Sequence, residues 1–302
     1  MTVQVIGGAN LDVLARSSGP LRAHTSNPGT TVRTYGGVGR NVAENLARLG
    51  TPTRMLLAVG DDTAGQEVLA RTRFAGVKTL RVPWEGPTGT YTALLDEDGS
   101  LVAGVADMAA TDAILPEHVD DAGVTDSDWL VLDGNLPAET LGHALRLADA
   151  AGVPVVLDPV SAPKAGRIAP YLDDGVRVHT LTPTADELAA LTGDDAPASA
   201  AATLHARGVQ VVWVREGAHG STLFRPDLDP VRVALPAVDA VDVTGAGDAM
   251  LAAYVHALCR GADLTRAAHE GAAAAMLTVQ SAETFRPDLS PALIDAALED
   301  LA

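Results

Sequence analysis

The chain has 302 residues, a formal net charge of −18 and one cysteine. That length is ample for a large α/β core, and 47% hydrophobic against 20% charged residues marks a globular chain, not a disordered one. The acidity argues against a nucleic-acid polymer as partner, which needs a basic face, and against an anionic membrane surface.

Aromatic residues make up only 3%, so the core must be built from Ala, Val and Leu. That suits helices packed on a parallel sheet. Cys259 has no partner for an internal disulfide. The opening MTVQVIGGANLDV lacks the basic region of a signal peptide, and no apolar run is long enough for a span. The expected compartment is the cytoplasm.

Taken in chain order, Val3–Ile6 reads as a strand. Residues 11–35 are polar, contain Gly and Pro, and show no helical period. A helix over Gly39–Arg48, a strand over Arg54–Val59 and a helix over Gly65–Phe74 follow. Residues 88–106 place two strand-like arms around Glu97-Asp98-Gly99, a turn with glycine where positive φ costs little. Beyond it come strands at Trp129–Asp133, Val153–Asp158, Val178–Thr182 and Val211–Arg215. They alternate with helices at Ala138–Ala151, Ala185–Leu191 and Ala198–Arg207. The end is helical over Ala246–Arg260, Leu264–Val279 and Pro291–Leu301. This alternation predicts a doubly wound, mostly parallel sheet flanked by helices. Residues 11–35 and 88–106 are expected to form a small β-strand lid inserted in a single domain spanning 1–302. The lid would cover the carboxyl ends of the strands, where such sheets bind ligands.

Three segments have the composition of a site. In Asp242-Val243-Thr244-Gly245-Ala246-Gly247-Asp248 a glycine turn opens a long Ala-rich helix. Amides of Gly245, Ala246 and Gly247 at a helix start suit an anion, and Asp248 in the first turn suits a base. An ordinary acidic helix start reads the same way. Gly36-Gly37-Val38-Gly39-Arg40-Asn41 permits close backbone approach to a polar ligand. With Asn10 and Asp12 after the first strand, Asn41 is suited to sugar hydroxyls, which both donate and accept. A turn with a capping Asn is the plainer reading. Arg215-Glu216-Gly217-Ala218-His219-Gly220 is either a nucleotide-cradling turn or a plain hairpin. The eight histidines show no metal spacing, and there is neither a Walker A loop nor a Gly-x-Ser-x-Gly elbow.

Together the segments GGVGRNVAENLARLG and DVTGAGDAMLAAY resemble the two signatures of the ribokinase-like (PfkB) sugar kinases. GGANLDV, AVGDDTAGQEVL, LDPV and REGAHGS fall in that family's order, so the resemblance covers essentially the whole chain. It implies the fold read above and ATP-dependent phosphoryl transfer. Asp248 would be the general base and Gly245, Ala246 and Gly247 the anion hole. Asp12, Gly37 and Asn41, with Asn10 and Gly36 beside them, would hold the sugar. Gly217 and Gly220 would line the ATP site. Asp242 and Thr244 would hold potassium. Glu187 would organise Mg²⁺ indirectly, with Thr184 standing where the family has Asn.

Within the family, SNPG at Ser26–Gly29, GGVGRN, Asp107-Met108 and LVLDGNL ending at Leu136 resemble the branch that phosphorylates the 5′-hydroxyl of pseudouridine. Asp107 is the expected reader of the base edge, since a carboxylate only accepts and the free N1–H of that base only donates. A solvent-facing loop acid reads the same way. The alternatives are another kinase of the family, acting on ribose or adenosine, and a non-catalytic sugar- or nucleotide-binding regulator. A homodimer paired through the lid follows from family analogy alone.

Overall fold

A computed structural model of the chain describes residues 1–234, 238, 240–281 and 286–299. Its strands are β1 (Val3–Ile6), β2 (Asn10–Ser17), β3 (Gly29–Gly36), β4 (Thr53–Ala58), β5 (Lys78–Val82), β6 (Thr90–Leu95), β7 (Leu101–Asp107), β8 (Trp129–Asp133), β9 (Val155–Asp158), β10 (Val178–Leu181), β11 (Val209–Arg215), β12 (Ser221–Arg225) and β13 (Leu228–Val233). Nine of them form one sheet in the order β13-β12-β11-β10-β9-β8-β1-β4-β5. From β11 across to β5 every neighbouring pair is parallel. β12 and β13 add an antiparallel edge.

The central strands are continuous apolar runs because helices cover both faces. Adjacent residues go to opposite sides. Ile6, Leu132, Leu157 and Val212 enter one core, while Val5, Val131, Val156 and Val211 enter the other. Helix Ala138–Ala151 closes the first core with Leu141, Ala144 and Leu145. Helix Ala246–Cys259 closes the second with Leu251, Tyr254 and Val255. Helix Leu264–Val279 packs beside it through Ala267, Ala268 and Ala272, small residues that let the two helices approach closely.

From β1 the chain builds β4 and β5 on one side and then β8 to β11 on the other. The order reverses between β1 and β8. An open α/β sheet forms its ligand crevice at the carboxyl ends of such a pair.

β3-β2-β6-β7 form a second sheet. Residues 11–35, irregular by composition, are therefore largely two paired strands. The apolar alternation that marks a strand is weak there because β3 and β7 are open to solvent. Every residue of β7 is exposed, Leu101, Val102 and Val105 included. The turn after β6 closes as its sequence predicts, with Gly99 at φ 89°. β12 is the return arm of the hairpin reading, while β5 and β13 lie outside the strands read from the sequence; β13 carries Pro230, which is tolerated on a sheet edge. The last helix spans Pro291–Glu299, and its predicted end at Leu301 lies outside the described residues.

Gly37, between β3 and helix Val38–Arg48, has φ 98°, and any Cβ there would overlap the Gly8 carbonyl. Gly37→Ala is expected to cost about 2 kcal/mol or more, from the strained φ and the collision. A urea midpoint matching the wild type would show that this crossing relaxes freely.

Candidate active site

The crevice between β1 and β8 is held by one buried carboxylate. Asp133 ends β8, and its Oδ2 accepts the amides of Gly8 at 2.9 Å and Gly39 at 2.7 Å. Its Oδ1 accepts the Asn135 amide at 2.9 Å. The exit of β1 and the start of helix Val38–Arg48 are thus stitched to the end of β8. Burial raises the Asp133 pKa, and the Gly8, Asn135 and Gly39 amides oppose the rise.

The first lid strand contributes Asn10 and Asp12. The Asn10 amide donates to Asp12 Oδ1 at 2.5 Å. Gly36 lies so close to the Asp12 carboxylate that any Cβ there would displace it. Burial pushes the Asp12 carboxyl up to about 6, opposed by Asn10 and the Arg40 charge.

Across the crevice, Gly245 caps helix Ala246–Cys259 in the left-handed region at φ 77°. Before it, Asp242 Oδ1 accepts the Thr244 amide at 2.8 Å. The Ala246 amide is spent on the Val243 carbonyl at 3.3 Å. The amides of Gly245, Gly247 and Asp248 have no acceptor among the described residues. The free amides at this helix start are therefore those of Gly245, Gly247 and Asp248, with Ala246 already bonded.

The Asp248 carboxylate points inward, and Asn41 Nδ2 donates to its Oδ2 at 2.8 Å. This bond joins residues 207 apart in the chain and brings the two signature segments into one site. Burial pushes the Asp248 carboxyl up to about 7. The Asn41 bond and the Arg215 charge hold it down; Asp158 and Asp133 push it further up.

Beneath Gly247 lies a cation that sequence reasoning placed only in a turn motif. Arg215 ends β11 and pairs with Asp158, at the end of β9, through 2.8 and 3.3 Å bonds. It also reaches Glu187 at 3.5 Å. A Cβ on Gly247 would stand 2.9 Å from its Nη1, so this glycine is what lets the guanidinium approach the helix start. Glu187 and Thr184 form a capping box at helix Ala185–Thr192: the Thr184 amide donates to Glu187 at 2.9 Å and the Glu187 amide to Thr184 Oγ1 at 3.3 Å. Threonine thus keeps the cap at this position. Burial raises the Glu187 pKa, opposed by the Thr184 amide and Arg215.

Gly217 and Gly220 fall in the turn between β11 and the antiparallel β12, at the same end of the sheet. The plain-hairpin reading of that segment is correct for its shape. Lys164, after β9, bonds Asn135 Oδ1 and is half-buried. Burial lowers its pKa and Asp133 opposes this. The only sequence signal for it is scarcity, as the chain has just two lysines.

Asp107 does not join the group. It pairs with Thr90 and so shares a lid face with Leu11, whereas Asp12 pairs with Tyr91 and Thr34 on the other face. Register, which alternates faces residue by residue, separates the two acids. Asn27 of the SNPG segment is occupied locally, bonding the Arg22 amide and carbonyl.

Among the described residues no three His, Cys, Asp or Glu side chains cluster as a metal cage. Glu187 is engaged with Thr184 and Arg215, which fits Mg²⁺ held through phosphate and water. Asp242 spends one carboxylate oxygen on the Thr244 amide. No helix among the described residues is long and apolar enough to cross a membrane.

Residues 2–290 match the pfkB family carbohydrate kinase model. The chain belongs to that family. It is 34% identical to the pseudouridine kinase of Escherichia coli K12, over 99% of this chain and 96% of that one. A carbohydrate kinase from Agrobacterium tumefaciens superposes with a TM-score of 0.86 at 32% identity, covering 99% and 97% of the two chains. Arabidopsis thaliana ribokinase complexed with ribose and ATP gives 0.80 at 27% identity, covering 98% and 97%. The protein is a sugar or nucleoside kinase of the pfkB family, and an ATP and Mg²⁺ requirement is consistent with that membership.

For this kinase the raised Asp248 pKa has a testable sign. The folded state holds the proton up to about pH 7, against an ordinary value of 3.8. The cost of ionising the buried carboxyl therefore builds between about pH 4 and pH 7 and is absent below that window. Asp248→Asn is expected to raise Tm more at about pH 8 than at about pH 5, while lowering kcat by about 10²–10⁴-fold. An equal Tm change at both pH values contradicts the buried carboxyl, and a near-wild-type kcat removes Asp248 as base.

Proposed function

We propose that this kinase transfers the γ-phosphoryl group of ATP to the 5′-hydroxyl of a nucleoside, with pseudouridine as the preferred acceptor. The supporting observation is the placement of Asp248. Its carboxylate, raised to about 7, sits within one Asn41 side chain of the sugar-side helix and at the start of the helix whose amides are free.

Asp248 takes the hydroxyl proton as the oxygen attacks the γ-phosphorus. The bond from that phosphorus to the bridging oxygen breaks, and ADP leaves with the electron pair. Free amides at the helix start, backed by Arg215, stabilise the charge spread over the phosphoryl oxygens. Mg²⁺ supplies further neutralisation of the phosphates when bound with ATP. Asp12 and Asn41 hold the ribose hydroxyls, and the lid sheet carrying Asp12 excludes competing water.

The choice of base rests on the likeness to the E. coli pseudouridine kinase. Pseudouridine presents a ring N1–H that uridine lacks. A buried acceptor left unpaired by uridine costs about 1–3 kcal/mol. With Asp107 on the other face, the acceptor we assign is Thr34, which stands opposite Asp12 with its hydroxyl buried and without a partner among the described residues.

A panel of pseudouridine, uridine, adenosine and ribose with ATP and Mg²⁺ tests this reading. Pseudouridine is expected to exceed uridine in kcat/KM by more than about tenfold, and Thr34→Val to narrow that gap. A preference for ribose or adenosine would overturn the substrate and leave the kinase chemistry standing.

Asp242 and Thr244 we assign to a potassium ion beside the anion hole. Replacing potassium by tetramethylammonium at equal ionic strength is then expected to slow turnover. A rate indifferent to that exchange leaves the pair with a purely structural role, the Asp242 cap on the Thr244 amide.

A further inference from the structure

The base does not stand alone behind Asn41. Arg40 is fully buried on helix Val38–Arg48. Its Nη1 donates to the Asn41 side-chain oxygen at 2.8 Å and to the Tyr35 carbonyl at 2.6 Å. Its Nη2 pairs with Glu44, itself fully buried and bonded a second time by Arg48 at 2.7 Å. Tyr35 belongs to lid strand β3, and its ring lies 5.9 Å from the guanidinium. The result is one line of contacts from Glu44 through Arg40 and Asn41 to Asp248, with the lid strand tied in at Arg40.

We propose that Arg40 is a positioning residue for the phosphoryl-transfer base: it fixes the orientation of the Asn41 carboxamide so that the amide nitrogen, and not the oxygen, faces Asp248. The argument is one of polarity. An arginine has five donors and no acceptor, so only the oxygen of Asn41 satisfies it. That leaves the nitrogen for the carboxylate 2.8 Å away. Flipped, the amide would set oxygen against carboxylate and nitrogen against guanidinium, two repulsive contacts in a buried site. Without Arg40 nothing among the described contacts holds the oxygen end.

Core packing does not call for this residue. Apolar side chains often replace a buried ion pair at no cost or with a gain. The Nε of Arg40 is itself buried without a partner among the described residues, a cost that a packing residue would avoid. What an apolar replacement would lack is the outward contact to Asn41 and Tyr35.

The groups around the pair are accounted for. Asp248 is faced by Asn41, Arg215, Asp158 and Asp133. Arg40 is faced by Glu44, Arg71, Asp12 and Arg48. Arg40 therefore reaches Asp248 chiefly through the amide, and that route separates orientation from bare charge.

The assignment rests on Asp248 as base, but its test does not need turnover. Carboxylate-labelled aspartate lets the Asp248 signal, identified by its loss in Asp248→Asn, be titrated by NMR in the free enzyme. The variants are Arg40→Met/Glu44→Leu, which replaces the buried pair by apolar volume, and Arg40→Lys, which keeps the charge but has a single point of donation. The double variant is expected to move the Asp248 midpoint upward by about half a pH unit or more, because the Asn41 bond is what holds it down. Arg40→Lys should fall between it and the wild type, and alone suffices if the double variant does not fold. In an Asn41→Ala background the same changes at 40 should move the midpoint no further. An unchanged midpoint in the folded variants, or an equal shift in the Asn41→Ala background, overturns the proposal whether or not pseudouridine is the substrate.

Discussion

The site depends first on the carboxylate of Asp133. Two strands and a helix start converge where the sheet order reverses, and each arrives with an amide that must be satisfied away from water. One carboxylate oxygen takes the Gly8 and Gly39 amides together. Cross-linked in this way, the loop after β1 and the helix carrying Arg40 and Asn41 cannot move separately. An amide or hydroxyl in its place would accept less strongly than the charged carboxylate.

Charge is then distributed around that anchor with little slack. Asp133, Asp158, Glu187 and Asp248 are four buried acids at one end of the sheet. Arg215 neutralises two of them by direct contact and Lys164 lies toward the third through Asn135. Asp248 is bonded by a neutral side chain, Asn41, and by no cation among the described residues. The proposed base differs from Asp158 and Glu187 in having no guanidinium bonded to it, and from Asp133 in being held by one side-chain amide and not by three backbone amides. The same end must receive polyanionic phosphates although the chain carries a net charge of −18. Free helix-start amides and the guanidinium beneath Gly247 provide local positive potential that the overall charge does not reveal.

The lid shows where a local reading of the chain loses force. β2 begins at Asn10 and β3 ends at Gly36, so both lid strands run directly into the residues proposed to hold the sugar. Their sequences hide this, because a two-sided exposed sheet has no core face and hence no apolar alternation to detect. Face assignment suffers most. Asp107 and Asp12 are both aspartates near a strand end, yet one register step puts them on opposite sides of the sheet.

By itself the sequence determined the elements that bury two faces or turn on glycine. Val3–Ile6, Trp129–Asp133, Ala138–Ala151 and Leu264–Val279 were legible because continuous or helical apolar patterns are local properties. So was the Thr244–Asp248 helix start, since glycine followed by an acidic first turn has a meaning within one turn of chain. Only the tertiary structure decided which polar groups meet. Asn41 and Asp248 are 207 residues apart, Asp133 and Gly8 are 125 apart, and Arg215 and Asp158 are 57 apart. No window of sequence contains both members of such a pair. Their pairing follows from strand order, and strand order is fixed by burying two apolar faces at once, which is a property of the whole fold.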